Sequence, residues 1–277
     1  MVAKPLLTNA AKPATFEVEA YNERGEMVPT AVAGEHPLTL YLDKREIVTL
    51  MTLGHAPEAL AIGYLRNQRL ADSIDDIAAV QVDWETESVA VTTRKQKDLT
   101  GRFEKRTVTT GCGQGTVFGD LMEEIDSEKL RSDVRLADAD LFVLLEKVRK
   151  HETIYKQAGA VHGCALATTA GEILMFVEDV GRHNAVDAIA GFMWLEGIDG
   201  SDKVFYTTGR LTSEMVIKCA QMGIPFLVSR SGLTQMGHAI ARKVGITMLG
   251  RASGRHYLAF TGRERLSRTT PQPTALA

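Results

Sequence analysis

The sequence has few cysteines, no long apolar run and little net charge. Its three cysteines (Cys112, Cys164 and Cys219) cannot all pair within one chain, and their spacing gives no disulfide framework. A reducing, cytoplasmic location is therefore the simplest interpretation. No segment approaches the ~20 apolar residues of a membrane span, and Met1–Pro13 lacks an apolar core of signal-peptide length. A net charge of −3 and a pI near 6.2 argue against a general nucleic-acid-binding protein.

The two halves of the chain differ in their pattern of strands and helices. A length of 277 residues is typical of roughly two domains. We expect residues 1–14 to be a disordered tail, 15–135 an N-terminal α+β domain and 136–277 a C-terminal α/β domain. In the first half, Pro57 begins a helix that reaches about Arg69. Its predicted, mostly antiparallel strands are Thr15–Tyr21, Pro37–Leu42, Glu46–Leu53, Ile77–Trp84, Ser88–Thr93 and Arg106–Thr110.

The second half alternates regularly between short apolar runs and helices, after a first helix that begins at Asp138 or Asp140. Each run is followed by a small loop that contains an arginine. If the strands are parallel, right-handed crossovers bring these loops to one sheet edge, where ligands bind in open α/β sheets. Arginine binds phosphate oxygens bidentately, so the pattern predicts a phosphate-bearing, nucleotide-like ligand, although any one arginine also fits a simple surface charge. The predicted strands and their arginines are Glu172–Val177 with Arg182, Lys203–Thr208 with Arg210, Phe226–Ser229 with Arg230, and Ile246–Leu249 with Arg251.

The run from Val177 to Gly191 is the densest in chemical groups. Glu178, Asp179, Arg182 and His183 crowd the turn between a strand end and a helix start, where free N–H groups favour anions. Asn184 is the predicted N-cap of that helix, and Asp187 suits its first turn. A salt-bridged turn without a ligand is the alternative. The two carboxylates are predicted to orient arginines, and His162 and His183 either donate to a ligand or are structural.

A glycine-rich loop at the joint of the two halves carries a cysteine. Cys112 lies between Gly111 and Gly113, which remove steric cover, so its thiol is predicted to be exposed. Proximity to Lys105 or Arg106, or to a helix beginning near Val117, would lower its pKa and raise its thiolate fraction. A flexible interdomain link is the alternative. Cys219 fits the apolar face of a helix, whereas Cys164 fits either a core position or a site.

Several of these motifs together resemble the formate dehydrogenase accessory sulfurtransferase family, FdhD. The most specific is the run Glu-Asp-Val-Gly-Arg-His-Asn-Ala-Val-Asp, and the resemblance covers most of the chain from about Thr15 onward. The segments that carry it are Ala56–Leu65, the Cys112 loop, Val161–Ala165, Glu178–Asp187, Thr208–Arg210 with Ser213–Glu214, and Gly223–Pro225 through Gly250.

The resemblance implies a function, partners and a fold. Family members accept sulfur from a cysteine desulfurase as a persulfide on a loop cysteine, which corresponds to Cys112. They deliver it to the bis(molybdopterin guanine dinucleotide) molybdenum cofactor of formate dehydrogenase, form dimers, and have a C-terminal domain of cytidine deaminase-like fold. The family's cofactor-binding segment corresponds to Arg251, Ala252, Ser253, Gly254, Arg255 and His256.

The chain departs from the family pattern at two positions, and two other function classes stay open. Gly115 stands where members commonly have a second loop cysteine, and Arg251 stands where they usually have phenylalanine. One thiolate suffices for a persulfide carrier. A non-catalytic chaperone of the molybdenum cofactor is the first alternative. The second is a zinc-dependent deaminase, although no glutamate accompanies His162-Gly163-Cys164 and no second cysteine pair follows.

Overall fold

The computed structural model describes residues 4–95, 107–108, 115–116, 130–151 and 153–268. Among these residues, none of the helices has both the length and the apolar character needed to cross a membrane. The helices are α1 (Pro57–Asn67), α2 (Asp138–His151), α3 (Ile154–Ala158), α4 (Arg182–Glu196), α5 (Ser213–Gln221) and α6 (Gln235–Val244), with 3₁₀ turns at Ile74–Asp76 and Arg263–Arg265.

The N-terminal half is built on a five-stranded mixed sheet of order β1-β6-β7-β4-β5. The two predicted strands on either side of Asp43 and Lys44 pair as an antiparallel hairpin, and both turn residues have positive φ (47° and 72°), as a tight hairpin turn requires. The antiparallel pair β6–β7 is confirmed as well. The strands are β1 (Leu6–Leu7), β2 (Thr15–Tyr21), β3 (Met27–Ala33), β4 (His36–Leu42), β5 (Arg45–Thr52), β6 (Ile77–Asp83) and β7 (Ser88–Thr93), with β2 and β3 forming a separate ribbon.

Residues 4–14 are ordered, which corrects the expected disordered tail. Strand β1 pairs in parallel with β6. The Ala10 N–H donates to Glu58 (2.9 Å) and the Lys12 N–H donates to the Gly54 carbonyl (2.8 Å). The Trp84 indole N–H donates to the Ala10 carbonyl. These partners are distant in sequence, so no local pattern in residues 4–14 could reveal the order.

Two short antiparallel strands, β8 (Thr107–Val108) and β9 (Gly115–Thr116), pair in the second part of the N-terminal half. Strand β8 coincides with the middle of the predicted strand Arg106–Thr110. Cys112 lies in residues 109–114, outside the described residues.

The C-terminal half is built on a six-stranded sheet of order β12-β11-β13-β14-β15-β16. Strands β13, β14 and β15 are parallel neighbours, so the condition on which the arginine argument depends is met for them. Strand β11 is antiparallel to both β12 and β13, so β12 still runs in the same direction as β13. A further parallel pair joins β10 to β17. The strands are β10 (Leu136–Ala137), β11 (His162–Thr168), β12 (Ile173–Asp179), β13 (Lys203–Thr207), β14 (Phe226–Ser229), β15 (Thr247–Ser253), β16 (His256–Ala259) and β17 (Leu266–Ser267).

Helices cover both faces of this sheet. Alternate strand residues face opposite sides: Ala165, Tyr206 and Phe226 join the apolar cluster of α2, whereas Leu166 and Phe205 join the cluster of α4, α5 and α6. The result is a three-layer arrangement, which agrees with the C-terminal α/β domain that the alternation predicts. The finer likeness to the cytidine deaminase fold stays a prediction.

Helix α1 of the N-terminal half packs closely on α4 of the C-terminal half. A Cβ placed on Gly63 would lie 1.6 Å from the Asp187 carbonyl oxygen, and one on Gly191 would lie 1.9 Å from the Ala59 carbonyl oxygen. Glycine at both positions therefore lets the two backbones touch. One apolar cluster runs from Leu38 and Leu40 in the first sheet to residues of α4, so the two halves share a core.

Candidate functional site

The carboxyl ends of β12, β13, β14 and β15 meet at one edge of the six-stranded sheet, as the arginine pattern predicts. Arg182 opens α4 directly after β12, while Arg210 and Arg230 lie in the loops after β13 and β14. Arg210 and Arg230 are exposed, whereas Arg182 is only 5% exposed. The edge therefore exposes the side chains of Arg210 and Arg230, on short loops that the strands hold in place.

Arg182 lies against the loop that carries Arg210. A Cβ on Gly209 would lie 2.6 Å from Arg182 Cδ, so the glycine makes room for the arginine stem. The Ser229 hydroxyl donates to the Gly209 carbonyl (2.6 Å), which ties the loop after β13 to the end of β14. The close packing of Arg182 on this loop explains how an arginine at a helix start can be almost fully buried.

Arg251 lies in a strand, which corrects its predicted place in a loop. Strands β15 and β16 form an antiparallel hairpin, with an irregular register between Gly250 and Ser253. Arg251 has a positive φ of 53°, and its N–H donates to the Ser231 carbonyl (2.9 Å). This hydrogen bond ties the β15–β16 hairpin to the loop that contains Arg230 and Ser231.

The predicted cofactor-binding segment divides into buried and exposed residues. Ala252 is 1% exposed and belongs to the apolar cluster on the α2 side. Arg251, Ser253, Gly254, Arg255 and His256 are exposed. Arg255 lines two neighbouring cavities beside α2, of about 780 and 860 Å³. The segment thus offers charged or polar side chains to a ligand at Arg251, Ser253, Arg255 and His256, and bare backbone at Gly254.

His162 begins β11 at the same sheet edge. Its Nδ1 lies 3.2 Å from Thr208 Oγ1, and the ring is half-buried. Burial lowers the pKa of His162, and the positive charges of Arg182, Arg230 and Arg210 lower it further. The structure therefore brings the predicted histidine and the three arginines into one electrostatic environment.

His183 lies beneath this surface, in a ladder of polar contacts between α4 and α5. His183 Nε2 is 3.2 Å from a Glu214 oxygen, and one turn further Lys218 Nζ lies 2.7 Å from Asp187. Burial, with the charge of Lys218, lowers the pKa of His183 to about 2, so the imidazole is neutral. His183 is 3% exposed, which favours the structural interpretation over direct ligand contact.

The predicted N-cap of α4 is wrong, and so is the predicted place of Asp187 in its first turn, which contains no acidic residue. Helix α4 begins at Arg182 with Gly181 at the N-cap position. The Asn184 side chain instead donates to the Met51 carbonyl (2.6 Å) and to Asp179 (2.9 Å), which joins α4 to β5. Asp187 is 0% exposed and pairs with Lys218, so burial rather than the helix dipole determines its partner.

Glu178 fixes the short helix α3 beside the site. Its carboxylate accepts hydrogen bonds from the N–H groups of Thr153, Ile154 and Tyr155, at 3.0, 3.0 and 2.9 Å. The Arg230 guanidinium lies over the Tyr155 ring at 5.0 Å from its centroid. Glu178 thus holds in place the helix whose tyrosine contacts Arg230. That Glu178 orients arginines stays a prediction.

The two described cysteines are both buried. Cys164 is 0% exposed, and burial raises the pKa of its thiol to about 12. Cys219 is also 0% exposed, and burial raises the pKa of its thiol still more. Both are core residues, so the interpretation of Cys164 as a site residue is wrong.

Three residues near the site were not assigned a role from the sequence: Thr208, Glu214 and Tyr155. The first two belong to the run Thr208–Glu214, whose contacts with β11 and α4 depend on tertiary packing. Among the described residues, no three His, Cys, Asp or Glu side chains form a group able to hold a metal ion. His162 and Cys164 therefore gain no third ligand of the deaminase type in that part of the chain.

Comparison with known proteins is consistent with this architecture. The sulfur carrier protein FdhD of Listeria innocua is 29% identical over 255 residues, covering 91% of this chain and 96% of that protein. The protein of the same name from Sulfurisphaera tokodaii is 31% identical over 250 residues, covering 88% and 95%. A crystal structure from Desulfotalea psychrophila, provisionally assigned as a formate dehydrogenase accessory protein, has a TM-score of 0.75 at 26% identity and covers 92% of this chain and 100% of that one.

The sequence profile of the FdhD/NarQ family matches residues 33–267, a span that includes β4–β7 of the first sheet, the whole six-stranded sheet and the loops that carry Arg210 and Arg230. Because that match extends over most of the chain, the protein belongs to the FdhD/NarQ family.

Proposed function

We propose that this protein is a sulfur carrier that accepts persulfide sulfur on Cys112 from a cysteine desulfurase and delivers it to the bis(molybdopterin guanine dinucleotide) molybdenum cofactor of a formate dehydrogenase. The observation that carries the proposal is the gathering of Arg182, Arg210 and Arg230 at one sheet edge, beside the Arg251–His256 hairpin. Relatives named sulfur carrier protein FdhD support the sulfur-transfer part.

The burial of two cysteines supports Cys112 as the carrier. A persulfide forms only on a thiolate that a partner's sulfur can reach. Cys164 and Cys219 are both 0% exposed, and burial disfavours their thiolates. Cys112 is the third cysteine of the chain. We therefore assign sulfur transfer to Cys112. It would act without a second loop cysteine, because Gly115 stands at that position.

Loading of Cys112 is a simple exchange. Its thiolate attacks the outer sulfur of the desulfurase persulfide and forms a new S–S bond. The original S–S bond breaks, and the desulfurase cysteine leaves as a thiolate. The outer sulfur then belongs to Cys112, and no external oxidant or reductant is consumed.

The arginine edge suits the cofactor, which is the substrate of this protein. Each guanine dinucleotide arm carries a pyrophosphate, and guanidinium groups bind such oxygens bidentately. Arg182, Arg210 and Arg230 would supply positive charge, while the exposed residues of the Arg251–His256 hairpin would contact the nucleotide. Ala252 contributes through its backbone position, because its side chain is buried. A homodimer and a cytoplasmic location complete the proposal.

The test is an intact-mass spectrum after incubation with an active cysteine desulfurase and cysteine. We expect the wild-type protein to gain one sulfur atom that a reductant removes. Cys112→Ala should gain none, yet should bind guanosine diphosphate as the wild type does. Cys164→Ala is the matched control and should still load, since that thiol is buried.

Two outcomes would count against the proposal. Absence of sulfur on the wild-type protein would favour a cofactor chaperone that moves no sulfur. Loading that persists in Cys112→Ala would place the carrier at another cysteine. Loss of both loading and nucleotide binding in Cys112→Ala would show a folding defect, which circular dichroism of the variant would reveal.

A further inference from the structure

We propose that His162 is a hydrogen-bond donor of the anion site at the sheet edge, where Thr208 fixes its ring so that Nε2–H reaches a phosphate oxygen of the ligand. The inference deepens the proposed function and rests on it for the identity of that ligand. Thr208 is a positioning residue in this arrangement, because it acts through the histidine.

The topology places His162 among the arginines. Strand β11 is antiparallel to its neighbours, so it begins at the edge where β12 and β13 end. His162 lies opposite Asp179, the last residue of β12. Thr208 directly follows β13, on the other side of β11. A residue at the start of an antiparallel strand thus shares the edge with loops that follow parallel strands.

The hydrogen bonds of Thr208 determine the tautomer of His162. The Gly163 N–H donates to Thr208 Oγ1 (3.1 Å), and His162 Nδ1 lies 3.2 Å from the same oxygen. A threonine hydroxyl has one proton to donate. If Nδ1 accepts that proton, the Gly163 N–H, the Thr208 hydroxyl and Nδ1 all have a partner. If Nδ1 carried a proton itself, the Thr208 hydroxyl proton would have no acceptor within the part of the chain that the structure describes.

The neutral ring therefore carries its proton on Nε2, the nitrogen that is not directed at Thr208. Among residues 4–95, 130–151 and 153–268, no group accepts a hydrogen bond from that nitrogen. Because the ring is half-buried, Nε2–H is available to a ligand at the sheet edge.

Burial and the positive charges around His162 keep its ring neutral. Burial lowers the pKa of His162, and Arg182 on α4, Arg230 after β14 and Arg210 after β13 lower it further. The carboxylate opposite, Asp179, is engaged by the Thr52 hydroxyl, and His183 on α4 is neutral. His162 thus adds a directed donor to the site without adding a fourth positive charge. Arginine forks attract a phosphate, and a single fixed N–H orients one of its oxygens.

The first experiment measures guanosine diphosphate affinity by calorimetry. His162→Phe should weaken binding roughly 10- to 100-fold, the loss typical of a hydrogen bond to a charged group. His162→Gln keeps an N–H donor of similar reach and should bind within a few-fold of the wild type. His55→Gln, an exposed histidine elsewhere, is the matched control. Wild-type affinity in His162→Phe, or equal losses in the Gln and Phe variants, would overturn the inference.

The second experiment reads the tautomer directly. Nitrogen-15 NMR of labelled histidine should show His162 protonated at Nε2 at pH 7 in the wild type. Thr208→Val should mix the tautomers and weaken guanosine diphosphate binding, and Thr208→Ser should restore both properties. A merely structural role of Thr208 would leave the tautomer unchanged in Thr208→Val. A proton found at Nδ1 in the wild type would overturn the inference without any variant.

Sulfur loading distinguishes this inference from the proposed function. Loading of wild-type Cys112 from the desulfurase is measured without guanosine diphosphate and therefore reports on the carrier role alone. If the wild-type protein binds no guanosine diphosphate, the inference is overturned together with the cofactor part of the proposed function. The mass spectrum then tests the carrier part independently.

Discussion

At the scale of single residues, burial decides which polar groups serve the site and which serve the fold. His162 and His183 both belong to motifs of the family resemblance, and the sequence leaves each between two roles. The structure separates them, because His162 is half-buried at the sheet edge whereas His183 is 3% exposed beneath it. Lys218 and Glu214 lie one turn apart on α5. Lys218 pairs with Asp187 of α4, and Glu214 contacts His183 of α4. Such pairing across helices depends on their packing.

The buried histidine gives the protein a specific pH dependence. Unfolded His183 has a pKa near 6.5, whereas in the folded protein it is about 2. Below pH 6.5 the unfolded state binds a proton at His183 that the folded state does not bind. The free energy of unfolding therefore falls as pH falls. Linkage sets the loss at about 1.4 kcal/mol per pH unit within this window. Urea unfolding at pH 7.5, 6.5 and 5.5 should show a shallower decline in His183→Gln than in the wild type.

His55→Gln is the control for this measurement, since His55 is exposed and its removal should leave the decline unchanged. Equal slopes in His183→Gln and the wild type would mean that His183 takes up its proton at the same pH in the folded and unfolded states. That result would contradict the neutral imidazole inferred from its burial.

At the scale of elements, local patterns predict strands and helices well and their ends less well. The predicted strand Phe226–Ser229 is confirmed. The helix that follows it has Thr234 at its N-cap, whose hydroxyl accepts from the Gly237 N–H at 3.1 Å as this residue type usually does. Arg251–His256 differs, because β16 pairs with β15 and extends that strand to Ser253. The pattern after Gly250 is too polar to indicate a strand, and its order comes from the partner strand.

The crossing of α1 and α4 depends on glycine, and this reverses the usual effect of replacing glycine by alanine in a helix. Alanine normally stabilises a helix interior by about 1 kcal/mol over glycine. A Cβ on Gly63 would lie 1.6 Å from the Asp187 carbonyl oxygen, so the helices must separate. Gly63→Ala should therefore lower the free energy of unfolding by about 3 kcal/mol, the upper part of the range for overpacking, measured by urea denaturation.

Gly232→Ala is the matched control, because nothing lies within 4 Å of a Cβ at that position. Its stability should stay within about 0.5 kcal/mol of the wild type, as for most surface substitutions. A Gly63→Ala protein as stable as Gly232→Ala would show that the two helices are farther apart than the structure places them.

At the scale of the whole molecule, the two halves are joined by one apolar cluster that runs from β4 to α4. The Asn67 side chain of α1 donates to Asp187 of α4 (2.7 Å), and Arg66 donates to the Ala190 carbonyl (2.9 Å). The boundary near residue 135 marks a change in the pattern of strands and helices along the sequence, and the apolar cluster continues across it. The shared core predicts that both halves unfold together.

Each half contains one tryptophan that reports on this cooperativity. Trp84 hydrogen-bonds to the Ala10 carbonyl in the N-terminal half, and Trp194 lies on α4 beside Arg66 in the C-terminal half. In Trp194→Phe and Trp84→Phe, the remaining tryptophan's fluorescence and the far-ultraviolet circular dichroism should give the same urea midpoint. A fluorescence midpoint well below the dichroism midpoint in either protein would contradict a single cooperative unit.

The sequence by itself determined the regular alternation of the second half, the loops that carry Arg210 and Arg230, and the family resemblance. These are local signals, since apolar periodicity and turn residues act over a few neighbours. Only the tertiary structure decided that β11 inserts between β12 and β13, that residues 4–14 are ordered, and that Ala252, Cys164 and His183 are buried. Each of these depends on contacts between residues far apart in the chain, whose partners no local pattern specifies.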